Sequence, residues 1–282
     1  MDLATIQVWG FAFIIGGALS LIVLERLYPY NPGQKIFREG FWLDLIGYGL
    51  VQSYVLGMAI GALIEWIDRS GHFSRAQIVT HWPLWVQCVF FLVLHDLYIY
   101  SFHRTQHKFP FLWRTHEAHH GTDDVDWLSG ARSHPLEIMI NQTIEFAPIV
   151  LLGASPAVPV IKGALSAVWG MYIHSNIRVS VDRPLTRAIQ KVINGPGMHR
   201  WHHAICDERA MNKNFGTKLA IWDWLLGTAF FPSDSTAKKF GLGDPNFPQT
   251  YMGQTMYAFR REKQQSHDET GGKTAVLSTG SI

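Results

Sequence analysis

Long apolar runs alternate with short charged loops along this chain. Leu3 to Leu24 carries no charged residue, enough for about 30 Å of helix and a crossing of a bilayer core. Leu45 to Ile64 is a second charge-free run, and Ala76 to His95 a third, apolar from about Trp82. From Phe146 to Ile177 the only charge is Lys162, and Pro148, Pro156 and Pro159 break the run near Gly153–Pro159, as in a helical hairpin. The pattern predicts an all-α, multi-pass integral membrane bundle of four to five segments. The spans fall near 3–24, 45–64, 82–102 and, as the hairpin, 136–177. A histidine-rich helical cap comes from 103–135 and 178–232, so that 1–232 forms a single membrane-embedded domain.

Composition agrees, with 16% charged and 48% hydrophobic residues, 11 Trp and 17 Phe among 282 residues. The formal charge of +2 and the lack of a basic, aromatic-interleaved stripe point away from nucleic acid. Cys88 and Cys206 make neither a disulfide framework nor a zinc-type pair. The first span has no basic stretch before it and is followed by Glu25-Arg26 rather than a cleavage site, so it reads as a retained anchor. Lys and Arg gather after the first span, the third span and the hairpin, whereas the loop between spans two and three holds only Arg69 and Arg75. That bias puts the N-terminus outside and the cap on the cytoplasmic side. The membrane itself is a bacterial inner membrane or the endoplasmic reticulum. Residues 233–282 read as a polar tail, disordered from about 264.

Against this background stand three clusters: His103-Arg-Thr-Gln-His107, His116-Glu-Ala-His119-His120 and His199-Arg-Trp-His202-His203. Residues three and four apart share a helix face, so each cluster aims imidazoles at one place. Packing gives no reason for His-x-x-His-His to occur twice. Neutral imidazole suits iron, zinc, copper or nickel, and eight histidines exceed the needs of one ion and fit two. His72, His81 and His267 stand alone and read as surface or interface residues. Asp96 lies seven residues before His103, on nearly the same face, placed either to orient a ligand imidazole from behind or to serve a plain structural role. His116, Glu117 and His120 also satisfy His-Glu-x-x-His, the zinc-hydrolase pattern with Glu as general base. Against that reading, His119 is superfluous, the third cluster has Arg200 in the Glu position, and a single zinc leaves His103 and His107 unexplained. A transporter or sensor that only binds metal is a third reading.

At these residues the chain resembles the membrane-bound fatty acid hydroxylase and sterol desaturase superfamily, whose boxes His-x3-His, His-x2-His-His and His-x2/3-His-His it matches. Flanking stretches are similar too: Asp96 through His107, Leu112-Trp113-Arg114-Thr115-His116, Arg132-Ser-His134-Pro135-Leu-Glu137, His174-Ser175-Asn176, Asn214-Phe215-Gly216 and Trp222 through Thr228. The resemblance covers about Asp44 to Pro232. It implies a di-iron centre held almost wholly by histidine, O2 as co-substrate, and hydroxylation or desaturation of an unactivated lipid C–H bond. It also implies His174 as a ninth ligand, with His134 organising its loop. The spacing between His107 and His116 resembles the alkylglycerol and sterol branches. The first box, His-x3-His, departs from the His-x4-His of members that act beside a carbonyl. No haem domain fits in the first 40 residues, so electrons are expected from a separate protein or a diffusible reductant.

Neutral imidazoles bring no negative charge, so nearby carboxylates are expected to offset the ions. The candidates are Asp96, Glu117 and Asp223, with Asn176 and Asn214 as hydrogen-bonding partners. Lipid is expected to reach the site laterally between the third span and the hairpin, past Trp169, Tyr172 and Phe102, unless these are ordinary interface-belt aromatics.

Overall fold

The computed structural model describes residues 2–180, 183–232 and 236–260. Among them every regular element is helical, and the extended pairings are two isolated bridges, Pro29–Ile177 and Ile193–Leu219. The expected disorder from about 264 lies outside the described residues.

Three helices are long and apolar enough to cross a membrane. The first, α1 (Leu3–Leu27), begins where the Asp2 side chain accepts the Thr5 N–H at 2.9 Å. It lies closely against α6 (Ala157–His174): a methyl added at Gly17 would stand 2.8 Å from Val168, and one at Gly10 3.2 Å from Val160. Lipid tails are as apolar as leucine, so close backbone approach at small residues is what holds such a pair together. The second crossing is a π-helical stretch, Leu43–Gln52, that runs straight into α2 (Ser53–Gly71). It starts earlier and ends later than the charge-free run at 45–64 suggests, with Asp44 fully buried at its start. The third is α3 (Leu84–Lys108). It stops at Phe109, whose extended backbone (φ −104°, ψ 120°) is what a residue before proline adopts, and Pro110 then opens α4 (Pro110–His120). The Phe109-Pro110 pair thus sets the corner between the first two histidine boxes.

The hairpin is α5 (Pro135–Leu151) and α6, and its break falls at residues 152–156. Gly153 takes φ +70° there, a conformation costly for any residue with a side chain. The hairpin tip is pinned to the loop before α3 by the Val79 N–H donating to Leu152 O at 3.2 Å. Val79, Phe91, Ile149 and Val158 make a small apolar core at that end. At the other end sits the cap, with α7 (Pro184–Ile189), α8 (Pro196–His202), α9 (Ile221–Leu225) and α10 (Tyr251–Tyr257).

Two features of the cap are not apparent from the sequence pattern. Residues 236–260 fold back over it, with Arg260 paired to Glu117 of α4, and reach the start of the second crossing, where Tyr48 donates to Gln254 Oε1 at 2.6 Å and Tyr251 to Gln52 Oε1 at 2.7 Å. Beneath them lies a buried charge network. Arg38 donates through Nε and Nη2 to Asp126 (2.8 Å each) and through Nη2 to Asp44 at 2.7 Å, and Arg132 Nε donates to the other Asp44 oxygen. Arg132 Nη1 also donates to Gly121 O at 2.8 Å, just past the second box.

Candidate metal centre

Each histidine owes its place to a helix end. His103 and His107 are one turn apart on the last two turns of α3, His116, His119 and His120 close α4, and His174 is the last residue of α6. His199 and His202 lie on α8, which starts at Pro196 and is followed by His203. The structure brings all nine together in two adjoining groups. His103, His107, His116, His120 and His202 form one, and His119, His174, His199 and His203 the other; within each, ligand nitrogens lie within 4.8 Å of one another. The repeated spacing now has a geometric reason. From α4 the i, i+4 pair His116/His120 joins the first group and His119 the second. From α8 the i, i+4 pair His199/His203 joins the second group and His202 the first. The groups touch where the His120 and His203 rings stand 4.4 Å apart, centroid to centroid.

The outer ring nitrogens show what the inner ones are for. His103 Nδ1 meets Phe215 O at 2.9 Å, His119 Nδ1 meets Arg132 O at 3.0 Å, His174 Nδ1 meets Gly170 O at 2.7 Å and His202 Nδ1 meets Lys213 O at 2.8 Å. His116 Nδ1 meets Glu137 Oε1 at 3.0 Å. A carbonyl only accepts, so the Nδ1 of His103, His119, His174 and His202 carries the proton, and ionised Glu137 places one on His116 Nδ1, which leaves each Nε2 with a bare lone pair. Those lone pairs face one another: His103 Nε2 is 3.0 Å from His116 Nε2, and His119 Nε2 is 3.2 Å from His174 Nε2. Two opposed lone pairs at that distance repel unless a cation lies against both. It is also the spacing of neighbouring ligands around an ion with metal–nitrogen bonds near 2 Å. His107 Nε2, His120 Nε2 and His202 Nε2 are buried without a hydrogen-bond partner. Burial first, and then the neighbouring imidazoles, holds His116, His120, His199, His202 and His203 well below the ordinary histidine range. All five are neutral at pH 7 and available as ligands. The donor set fits a pair of metal ions.

The carboxylates are arranged differently from the expectation built on adjacency. Glu117 points away from the histidines into a two-pronged ion pair with Arg260 (2.6 and 2.8 Å). Asp96 accepts from Thr217 Oγ1, the Lys218 and Leu219 N–H groups and Trp222 Nε1 at 2.9–3.0 Å, and so braces the loop 217–220 and the start of α9. Asp223 accepts from the Phe215 and Gly216 N–H groups at 2.8 Å and from Thr228 at 2.7 Å; it reaches His103 only through the Phe215 carbonyl. Asn214 donates to Met198 O at 2.9 Å and to Phe230 O at 2.7 Å, holding the start of α8. Asn176 ties the end of α6 to the chain after α1, donating to Asn31 O at 3.0 Å while its backbone N–H meets Glu25 at 2.6 Å. His134 caps α5 by accepting the Leu136 N–H at 3.1 Å and meets Thr255 O at 3.0 Å, so both its nitrogens are engaged outside the two groups. His95 also lies outside them, 3.5 Å from Glu145.

The carboxylate that does touch a box is Glu137, in the first turn of α5. The motif holding it was visible in the sequence, but nothing there aimed it at His116. Gly130 was missed as well: a methyl there would sit 2.6 Å from His174 Nδ1. Replacing Glu137 with Leu is expected to lower metal affinity by about 10–100-fold, as for other partners of ligand histidines, with Glu137→Gln, which keeps an acceptor, losing less. Metal titration of the purified variants checks this, and equal affinity for Leu and wild type would remove Glu137 from the site.

The fold and the two histidine groups define an all-helical membrane protein with a polyhistidine donor set that fits metal. The profile of the fatty acid hydroxylase family matches residues 88–228, which contain all three boxes and His174. The chain is 31% identical to the ornithine lipid hydroxylase OlsE of Rhizobium tropici over 246 residues, 83% of this chain and 71% of the relative. It is 26% identical to the alkylglycerol monooxygenase of Homo sapiens over 53% of this chain, which spans only 32% of that protein. It is 23% identical to the Delta(7)-sterol-C5(6)-desaturase of Nicotiana tabacum over 64% of each chain. No solved structure matches. The chain belongs to the fatty acid hydroxylase family.

Proposed function

We propose that the chain is a membrane-bound di-iron oxidoreductase that uses O2 to hydroxylate, or desaturate, a C–H bond of a lipid of the sterol, alkylglycerol or fatty acyl class. The observation that carries this is the pair of opposed Nε2 lone pairs, His103/His116 and His119/His174, one in each histidine group. Relatives that are a lipid hydroxylase, a monooxygenase and a sterol desaturase support the reaction class. Iron at the two groups would supply O2 activation and attack on an unactivated C–H bond, chemistry that imidazole and carboxylate lack. His103, His107, His116, His120 and His202 would hold one ion, and His119, His174, His199 and His203 the other.

The chain's own residues do the rest. The four carbonyls and Glu137 fix the tautomer and orientation of five of the nine rings. Burial of the nine rings excludes bulk water; His107 alone is half-buried. The first box continues directly from the membrane-spanning α3, which brings an apolar chain to the histidines from the side of the bilayer. Asp96, Asp223, Asn176 and Asn214 act as positioning residues, each through the backbone it braces. Electrons come from a separate protein or a diffusible reductant, and the site faces the cytoplasm of a bacterial inner membrane or the endoplasmic reticulum. Iron analysis, reductant-dependent O2 uptake and lipid profiling of cells with and without the chain test this reading. About two irons and a lipid gaining one oxygen or losing two hydrogens support it, and one zinc with neither change overturns it.

The rival reading, an intramembrane zinc hydrolase, needs Glu117 to hold a water on a zinc bound by His116 and His120. Its carboxylate is instead held by Arg260 on the far side of α4. The expected result for Glu117→Gln is iron content and turnover within a few-fold of wild type. Loss of all activity in that variant with retained turnover in His103→Ala would favour the hydrolase.

A further inference from the structure

The irregular loop 217–220, which leads into α9, lies beside the middle of a membrane-spanning helix. Asp96 is halfway along α3, roughly 18 Å from its cap end at 1.5 Å per residue. The Lys218 and Leu219 N–H groups, the Thr217 hydroxyl and the Trp222 indole all donate to its carboxylate at 2.9–3.0 Å. Non-helical backbone at membrane depth is tolerated only where protein satisfies its polar groups, and Asp96, fully buried, does that here. A carboxylate with four donors has no further capacity to spare, which explains why this acid sits in an apolar helix without touching a histidine.

Beyond that loop the chain turns apolar side chains outward. Trp224, Leu225 and Leu226 at α9 are exposed, Leu225 to 69%, and so are Leu185, Ile189 and Val192 around α7, Leu185 to 72%. The two helices adjoin, since Trp224 Nε1 donates to Gln190 O at 3.1 Å. Together they make one adjoining apolar surface, of the kind that marks contact with a membrane or a partner. Around α7 the sequence places Arg178, Arg183, Arg187 and Lys191 against the single acid Asp182. Arg187 stacks over Phe231 at 5.5 Å, while Arg183 and Lys191 are exposed. Exposed leucines with lysine and arginine beside them are the composition of a segment lying in a bilayer interface.

We infer that α7 and α9 form a wedge immersed in the leaflet next to the histidine cap, with Leu185, Leu225 and Leu226 among the acyl chains and Arg183 and Lys191 at anionic headgroups. The surface is joined to α3 through the loop that Asp96 braces, so it stays beside the crossing helices. The inference is independent of which metal the histidines hold.

The test uses the full chain reconstituted in nanodiscs of phosphatidylcholine alone or mixed with phosphatidylglycerol. Nitroxide labels are placed at Leu185→Cys and Leu225→Cys in a Cys88→Ala, Cys206→Ser background, with the exposed native Cys206 labelled separately in a Cys88→Ala chain as the water-side reference. Collision with dissolved O2 is compared with collision with a water-soluble nickel chelate. The expected result is that labels at 185 and 225 favour O2 while the label at 206 favours nickel. Adding Arg183→Glu and Lys191→Glu should shift the label at 185 toward nickel in the anionic bilayer. Nickel-favoured labels at 185 and 225 would overturn the inference and leave a water-exposed docking face. Labels shielded from both reagents would overturn it too, since a protein partner would then cover the patch. An unchanged label at 185 in the charge-reversed chain would overturn the role given to the anionic headgroups.

Discussion

Alanine at His199 is expected to take the purified protein from about two irons per chain to one or fewer, and lipid oxidation below detection. His199 Nε2 is 2.9 Å from His174 Nε2 and 3.2 Å from His203 Nε2, the shared neighbour within the four-histidine group. Removing it leaves that group three imidazoles, one of them (His174) without its nearest companion. The five-histidine group keeps all its members, so part of the metal should remain. Iron content by elemental analysis and O2 uptake with a chemical reductant read the two losses separately. Unchanged metal content would mean that His199 is not needed to hold an ion in the four-histidine group.

Replacing Arg132 with Met should destabilise the fold by about 3–5 kcal/mol, the usual cost of stranding one member of a buried ion pair. Arg132 is 1% exposed and donates to Asp44 and to Gly121 O, so its loss leaves Asp44 with Arg38 alone. Lysine should not rescue, because one ammonium cannot reproduce the planar fork that reaches both partners. The effect should extend to the metal, since the Arg132 carbonyl accepts from His119 Nδ1. Thermal unfolding in detergent, with and without iron, measures both parts. A variant that melts with wild type would show that the network adds nothing to stability.

Much of the fold was legible in the sequence, and the limits have physical causes. Charge-free runs mark α1, α2 and α3 because lipid tolerates no unpaired polar group, and they place the hairpin break to within a few residues. The boxes at i, i+3 and i+4 foretell convergence, because that spacing fixes a helix face whatever the fold. The division of histidines between groups was not legible, since it depends on how α4 and α8 are turned toward each other. Adjacency was a poor guide to the carboxylates. Glu117 follows His116 by one residue, which on a helix turns its side chain about 100° away, and the structure ties it to Arg260. Four of the five outer-nitrogen partners that fix a tautomer are backbone carbonyls, which no residue type announces. The fifth, Glu137, depends on α5 passing beside α4, a tertiary fact.

Because α4 and α8 each give histidines to both groups, neither group is complete until the chain from residue 103 to residue 203 has been made and docked. A nascent chain that has emerged only through the hairpin lacks His199, His202 and His203. Completion of both groups therefore waits on α8, the last histidine-bearing helix in chain order, so a chain cut before residue 199 keeps four imidazoles of one group and only two of the other.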